Sequence, residues 1–297
     1  MEASSRRPDA RRSLPLLREE WEACRACNLG EQREAIRGSL VFGEGAMGGV
    51  MLIGEGPGRE EEAEGRPFVG ASGRFLRSTL EAIGLRHYYI TNAVCCRSWV
   101  YDYDSEGKPR IDFKTKAIRR KDSPPNMTQM NACFQRLLEE IYVVDPVLIV
   151  TLGGSAAEVL LRRSVTLQKD SGELQSAVLP GALLIPSLTD VARKWARWVG
   201  PKESRQLIMP FAQNTVVYPL LPLYHPAYVM AYAADKRPGS PMNMFATGMM
   251  KARDIYLRYM QEIGGENVTE YETTEDDIYE AQLNANSDSH ETSNRDP

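Results

Sequence analysis

A chain of 297 residues, 42% of them hydrophobic, can bury the core of one large domain or two small ones. No apolar run reaches the roughly 18 residues that a membrane helix needs, and the charged opening "MEASSRRPDARRSLPLLREE" lacks the apolar stretch of a signal peptide. These features exclude a helical membrane protein and lead to the expectation of a cytoplasmic one. The net charge of −4 is unevenly spread. Residues 261–297 hold eleven acidic residues and one arginine, leaving a body with 35 basic and 29 acidic groups. The acidic tail, poor in large apolar groups, is expected to be disordered, and the mildly basic body is compatible with a phosphate backbone.

Taken in chain order, "VMLIG" (50–54) reads as a strand that enters a glycine-rich turn. "GASGRFLRSTLEAIG" (70–84) follows, with apolar residues at helical spacing. "YYITNAV" (88–94) is a second strand, and "NMTQMNACFQRLLEEIYVVD" (126–145) an amphipathic helix. "PVLIVTLG" (146–153) is continuous and apolar, as a strand buried on both faces should be. It leads into "SAAEVLLRR", where Ser155 is a candidate helix cap. "VVYPLLPLYHP" (216–226) carries prolines that suit an edge strand or a strand end. Strands alternating with helices predict a three-layer α/β/α fold with a mainly parallel central sheet. Two irregular stretches, 98–126 and 162–215, read as excursions from that sheet, the second with Trp195 and Trp198 in a helix-like run. The expected division is a flexible segment over 1–17, a domain over 18–260 and a tail over 261–297.

The stretch "LIGEGPGREEEAEGRPFVGASGRFL" carries the most chemistry. A glycine-rich turn between strand and helix suggests a dinucleotide site. However, Gly54, Gly56 and Gly58 have the wrong third spacing, the helical run starts only at Gly70, and Asn92 stands where a ribose-binding carboxylate would close the second strand. Five cysteines, an odd number in a reducing compartment, point to metal-binding, reactive or buried thiols rather than disulfides. Cys24 and Cys27 form a Cys-x-x-Cys pair, which alone fits zinc, a redox pair or a cluster. Cys95 and Cys96 are adjacent, and successive strand side chains face opposite ways, so only one of them is expected at any shared site.

With "WEACRACNLGEQR", "GEGPG", "GRPFVG", "YITN" followed four residues after Asn92 by Cys96, "DPVLIVTLG" and "YHPAY" in this order, the sequence resembles the family 4 uracil-DNA glycosylases over about residues 18–260. The resemblance implies a DNA-repair enzyme that hydrolyses the N-glycosidic bond of deoxyuridine and leaves an abasic site. It implies that Phe68 stacks on uracil, that Asn92 pairs with its edge, and that His225 donates to O2 as the bond breaks. Glu55 would place or activate water or steady the cationic sugar, and Gly56 and Gly58 would let backbone amides approach the base or a phosphate. It also implies a structural [4Fe–4S] cluster on Cys24, Cys27, Cys96 and Cys133; four thiolates equally suit zinc. Cys95 would then be the odd thiol, turned away and packed as a small apolar group.

The acidic run Glu60–Glu62 is expected to lie away from the DNA backbone or to cap a helix. Arg66, Arg74, Arg97, Lys236 and Arg237 are candidate phosphate contacts, and Ala227 to Met230 a candidate wedge into the base stack. The implied partner is uracil-containing DNA, bound by a monomer at the nucleoid, with a protein partner possible for the acidic tail. Two other readings stay open on the residues alone: a glycosylase fold that binds uracil-containing DNA without turnover, and a nucleotide-dependent oxidoreductase.

Overall fold

The computed structural model describes residues 13–180, 215–263, 278 and 280. In chain order its elements are α1 (Leu14–Trp21), α2 (Asn28–Ala35), β1 (Glu44–Gly45), β2 (Val50–Gly54), α3 (Arg59–Glu64), α4 (Ala71–Ala82), β3 (Tyr88–Asn92), β4 (Trp99–Tyr101) and β5 (Arg120–Asp122). They continue with α5 (Met127–Val144), β6 (Leu148–Leu152), α6 (Gly154–Leu161), α7 (Leu167–Asp170), β7 (Gln175–Pro180), β8 (Thr215–Leu223), α8 (Pro226–Ala231) and α9 (Pro241–Glu262).

Six strands form one sheet in the order β1-β3-β2-β6-β8-β7. The inner four are parallel, and β1 and β7 run antiparallel at the two edges. Alternation along the strands divides the core into two layers. Val50, Leu52, Val150 and Leu221 face α4 and α9 through Phe75, Leu76, Phe245 and Met249. Met51, Ile53, Ile149 and Leu220 face α5 and α6 through Leu137, Ile141, Val159 and Leu160. This is the three-layer α/β/α arrangement with a mainly parallel sheet that the alternating pattern predicts.

Several details differ from the sequence reading. β8 is an interior strand, although it contains Pro219 and Pro222. The carbonyl of Pro222 accepts from Gly172 N–H on the β7 side, so its nitrogen also faces that side, beyond the first β7 pair at Gln175–Leu220. Pro219, three residues earlier, turns its nitrogen toward β6, one position before that ladder begins at Ile149–Leu220. Neither proline interrupts an existing ladder, which is how an interior strand tolerates both. α3 starts directly after Gly58, where the sequence suggested a long loop. α6 is capped at Gly153 rather than at Ser155.

The boundaries also move. α1 is capped by Ser13, and Leu17 within it is buried, so the ordered body begins inside the segment expected to be flexible. The 98–126 excursion is a two-stranded ribbon, β4 against β5. The second excursion contributes α7 and the edge strand β7, while Trp195 and Trp198 lie outside the described residues. Most of the acidic tail is likewise outside them. The exception that bears on the tail is Ile278, which is helical and fully buried in the core layer beneath α9, so at that point the tail packs onto the domain.

Candidate active site

Parallel strands bring their carboxyl ends to one edge of the sheet. After β2 the chain turns to the α4 face, and after β6 it turns to the α6 face, so a crevice opens between the two loops. It forms a pocket of about 630 Å³, and Glu55, Gly56, Gly58, Phe68, Asn92 and His225 all line it. They come from the ends of β2, β3 and β8 and from the turn before α4.

Phe68 is 5% exposed and has φ of 54°, a left-handed conformation that a bulky residue rarely adopts. The turn is pinned on both sides. Arg77 donates to the carbonyls of Pro67 (2.9 Å) and Phe68 (3.1 Å), while the Glu61 carboxylate accepts from the N–H groups of Val69 (3.1 Å) and Gly70 (2.9 Å). Glu61 also accepts from Gly58 N–H at 3.1 Å, which satisfies a backbone donor at the start of α3. The surrounding contacts thus hold a strained residue in place. Two glycines make room for it: a Cβ on Gly73 would strike the Phe68 backbone, and one on Gly54 would lie 2.6 Å from the Phe68 ring and also strike the Asn92 side-chain oxygen.

Asn92, the last residue of β3, is 2% exposed. Its backbone carbonyl and that of Ala93 each accept from Arg136 at 2.7 Å. Among the described residues no protein group takes its side-chain amide, which lines the pocket. Arg136 is fully buried, is paired with Glu140 and lies 3.7 Å from the Cys133 sulfur. Glu140 in turn accepts from Tyr89, Thr91 (3.0 Å) and Gly43 N–H (3.0 Å). This network ties α5 to the strand that carries Asn92, and a buried ion pair held by so many hydrogen bonds is costly to break from one side.

His225 caps α8, and its Nδ1 accepts from Ala227 N–H at 3.2 Å. That bond leaves the proton of the neutral ring on Nε2. Removal from water pushes its pKa down to about 4, against a smaller upward pull from the Glu61 carboxylate. Its ring stacks toward Phe68, with centroids 6.2 Å apart. The Glu55 carboxylate accepts from Ser155 Oγ at 2.7 Å, so Ser155 is a side-chain partner in the site rather than a cap.

The two glycines differ in what they offer. The Gly58 N–H is taken by Glu61, so it is not free for a base or a phosphate; at Gly56 a Cβ would lie 2.8 Å from Val94. The acidic run forms the first turn of α3. Glu60 and Glu61 line the pocket, while Glu62 is buried against Arg97 at 3.2 Å. Ser155, Glu61, Arg77 and Arg136 were not singled out for these roles. Only the acidic run over Glu60–Glu62, read as a helix cap, gives a sign of one in the sequence.

The five cysteines converge on a second, small pocket between α2, the segment after β3, and α5. Cys95 and Cys96 both line it, contrary to the expectation that Cys95 faces away. The strand ends at Asn92 and the chain bends at both cysteines, so strand alternation does not apply there. Cys95 Sγ lies 3.7 Å from Cys133 Sγ. Its thiol is pushed up to about 12: the bond with Cys133 pulls it down, but the bond with Cys96 and burial outweigh that pull. The thiols surround the pocket without gathering three at one point among the described residues. An all-sulfur donor set, with no carboxylate in the lining, suits zinc or an iron–sulfur cluster and not a hard cation. The residues present therefore fit a thiolate-bound centre.

Of the candidate phosphate contacts, Arg97 is buried between Glu62 and Asp122 and cannot reach DNA. Arg66 is paired with Glu44, Arg74 lies 3.8 Å from Glu60, and Arg237 is paired with Asp235. In the candidate wedge Val229 is fully buried, while Tyr228 is exposed, stacked on Tyr224 and tilted against Tyr232. No helix among the described residues is long and apolar enough to cross a membrane.

Several known proteins are similar to this chain over about half its length. The sequence is 33% identical over 151 residues to a type-4 uracil-DNA glycosylase of Pyrobaculum aerophilum, covering 50% of this chain and 64% of that protein. It is 33% identical over 145 residues to one of Sulfurisphaera tokodaii, covering 48% and 54%. It is 32% identical over 146 residues to one of Thermotoga maritima, covering 48% and 63%. The matched region thus spans less than two thirds of each of these relatives. A family profile described as the uracil DNA glycosylase superfamily matches residues 42–244, which include the whole pocket lining, and the chain belongs to that superfamily.

Proposed function

We propose that this protein removes uracil from DNA by hydrolysing the bond between uracil N1 and the deoxyribose C1′, leaving an abasic site. One observation carries the reading: a single pocket gathers an aromatic ring, an amide with no protein partner among the described residues, a neutral imidazole and a carboxylate. A base inside a duplex is out of reach, so the nucleotide must flip into the pocket. Phe68 offers it a stacking face. The Asn92 amide, which both donates and accepts, matches N3–H and O4 of uracil.

As the glycosidic bond breaks, its electron pair goes to the base and positive charge grows on the sugar. Nε2–H of neutral His225 then donates to O2, where negative charge collects, in the manner of an oxyanion hole. With one oxygen held by Ser155, the Glu55 carboxylate faces the cationic sugar and orients the water whose oxygen bonds to C1′; the water's proton balances the charge of the departing base. Every residue given a role here comes from one chain, and we assign the protein as a monomer acting at the DNA it repairs, in the cytoplasm.

We assign the second pocket to a [4Fe–4S] cluster held by Cys24, Cys27, Cys96 and Cys133, with zinc as the alternative. When bound, the centre supplies a covalent tie between the N-terminal helices and α5 and takes no part in base release. The chain provides further ties of its own: Gln129 Nε2 donates to Asn28 at 3.0 Å, and Trp21 Nε1 donates to Glu139 at 2.8 Å. The function is tested by incubating purified protein with an oligonucleotide containing one deoxyuridine and cleaving abasic sites with alkali. A strand break at the deoxyuridine supports the reading. Tight binding to that DNA with no break would favour a binding protein instead.

A further inference from the structure

The ribbon over residues 98–126 borders the pocket but has no part in the chemistry above. Arg119, Arg120, Lys121 and Asp122 line the pocket mouth, and β4 pairs with β5 through Trp99–Asp122, Val100–Lys121 and Tyr101–Arg120. The ribbon carries seven basic and five acidic residues, a modest positive excess.

Each of the five carboxylates is already engaged. Asp104 accepts from the N–H groups of Glu106 and Lys108, and Asp112 from those of Lys114 and Thr115. Asp102 is nearly buried and faces Arg119 at 4.0 Å, Asp122 is paired with buried Arg97, and Glu106 is paired with Lys108. By contrast, Arg110, Lys116, Arg120 and Lys121 are exposed and make no ion pair among the described residues. Two of these cations lie over aromatic rings, Arg120 over Trp99 and Lys116 over Phe113, which is 86% exposed. Trp99 is buried, so Phe113 is the ring of the two that is open to a base, and a cation beside an exposed aromatic ring is the combination that binds nucleic-acid backbone and bases.

We infer that the ribbon is a DNA-contact surface, gripping the phosphate backbone next to the flipped nucleotide through Arg110, Lys116 and Lys121. The direction in which the DNA leaves the pocket rests on the function proposed above; the charge and exposure of the ribbon do not. DNA docked over the pocket runs past its mouth, and there the ribbon offers exposed cations that form no ion pair with its own carboxylates among the described residues.

The test is direct. The full chain carrying Arg110→Gln, Lys116→Gln and Lys121→Gln is compared with the unaltered protein for binding to a uracil-free duplex of about 24 base pairs, across about 50 to 200 mM salt. Each phosphate contact contributes about 0.9 to the slope of log Kd against log salt. The variant is therefore expected to bind at least about tenfold more weakly at low salt, with a slope lower by about 2 to 3. Thermal melting of both proteins should coincide, since all three side chains are exposed. Unchanged affinity, or weaker binding with an unchanged salt slope, overturns the inference. Because this duplex holds no uracil, the outcome does not depend on whether the protein excises it.

Discussion

At the scale of single residues, the protonation state of His225 matters most. Burial and the Ala227 N–H bond keep the ring neutral at physiological pH, with its one proton on Nε2, the donor proposed for uracil O2. Removing that donor should lower kcat by about 10²- to 10³-fold, as for one donor of an oxyanion hole, which single-turnover kinetics of His225→Ala would measure. The same shift makes a stability prediction. The ring titrates at about 4 in the folded chain, against 6.5 without burial. Between those values the unfolded chain binds the extra proton, so this group's contribution to stability falls as pH drops from about 6.5 to about 4 and is constant above that range. Urea titrations at several pH values should show this slope, and His225→Gln should flatten it.

At the scale of elements, the turn holding Phe68 shows how much structure one aromatic ring requires. Gly73→Ala would push a methyl group into the Phe68 backbone, where no flexible side chain can give way. Overpacking of this kind costs about 1 to 3 kcal/mol, and differential scanning calorimetry should detect it together with a rise in KM. Glu61→Gln keeps the shape but has one acceptor oxygen where the carboxylate uses two, so it gives up the bond to Gly58 or those to Val69 and Gly70 and should loosen the turn with a smaller loss of stability.

Much of this level could be read in advance. The strands β2, β3 and β6 and the helices α4, α5 and α6 lie where periodicity and apolar runs placed them, because each strand is almost wholly buried and each helix buries one strictly patterned face. The pocket lining was legible through short motifs around Glu55, Phe68, Asn92 and His225. What could not be read depends on contacts distant in sequence. Arg136 lies 44 positions from Asn92, and Ser155 lies 100 from Glu55. The register of Cys95 was missed for a local reason, because the chain leaves strand geometry three residues earlier. The interior position of β8 was missed because a proline's cost depends on which neighbour its nitrogen faces.

At the scale of the whole molecule, Arg136 joins the two pockets, since it touches Cys133 on one side and the Asn92 carbonyl on the other. Replacing it by leucine would leave Glu140 buried without its cation, at a cost of about 3 to 5 kcal/mol. If the chain still folds, both iron content and kcat/KM should fall; a change in neither would show that the two sites are independent. Among the thiols, Cys96→Ser and Cys133→Ser should lose the bound metal, measured by elemental analysis, while Cys95→Ser should keep it. The reverse pattern for Cys95 and Cys96 would reassign the ligand.

The central claim is that the pocket at the sheet edge releases uracil from DNA. It is tested most directly by mass spectrometry of the free bases released from matched oligonucleotides carrying deoxyuridine or thymidine at one position. The account predicts free uracil from the first, no thymine from the second, and strongly reduced uracil from the Asn92→Ala and His225→Ala proteins. Absence of uracil release by intact, metal-loaded protein, or release by the two variants equal to that of the unaltered protein, would contradict it.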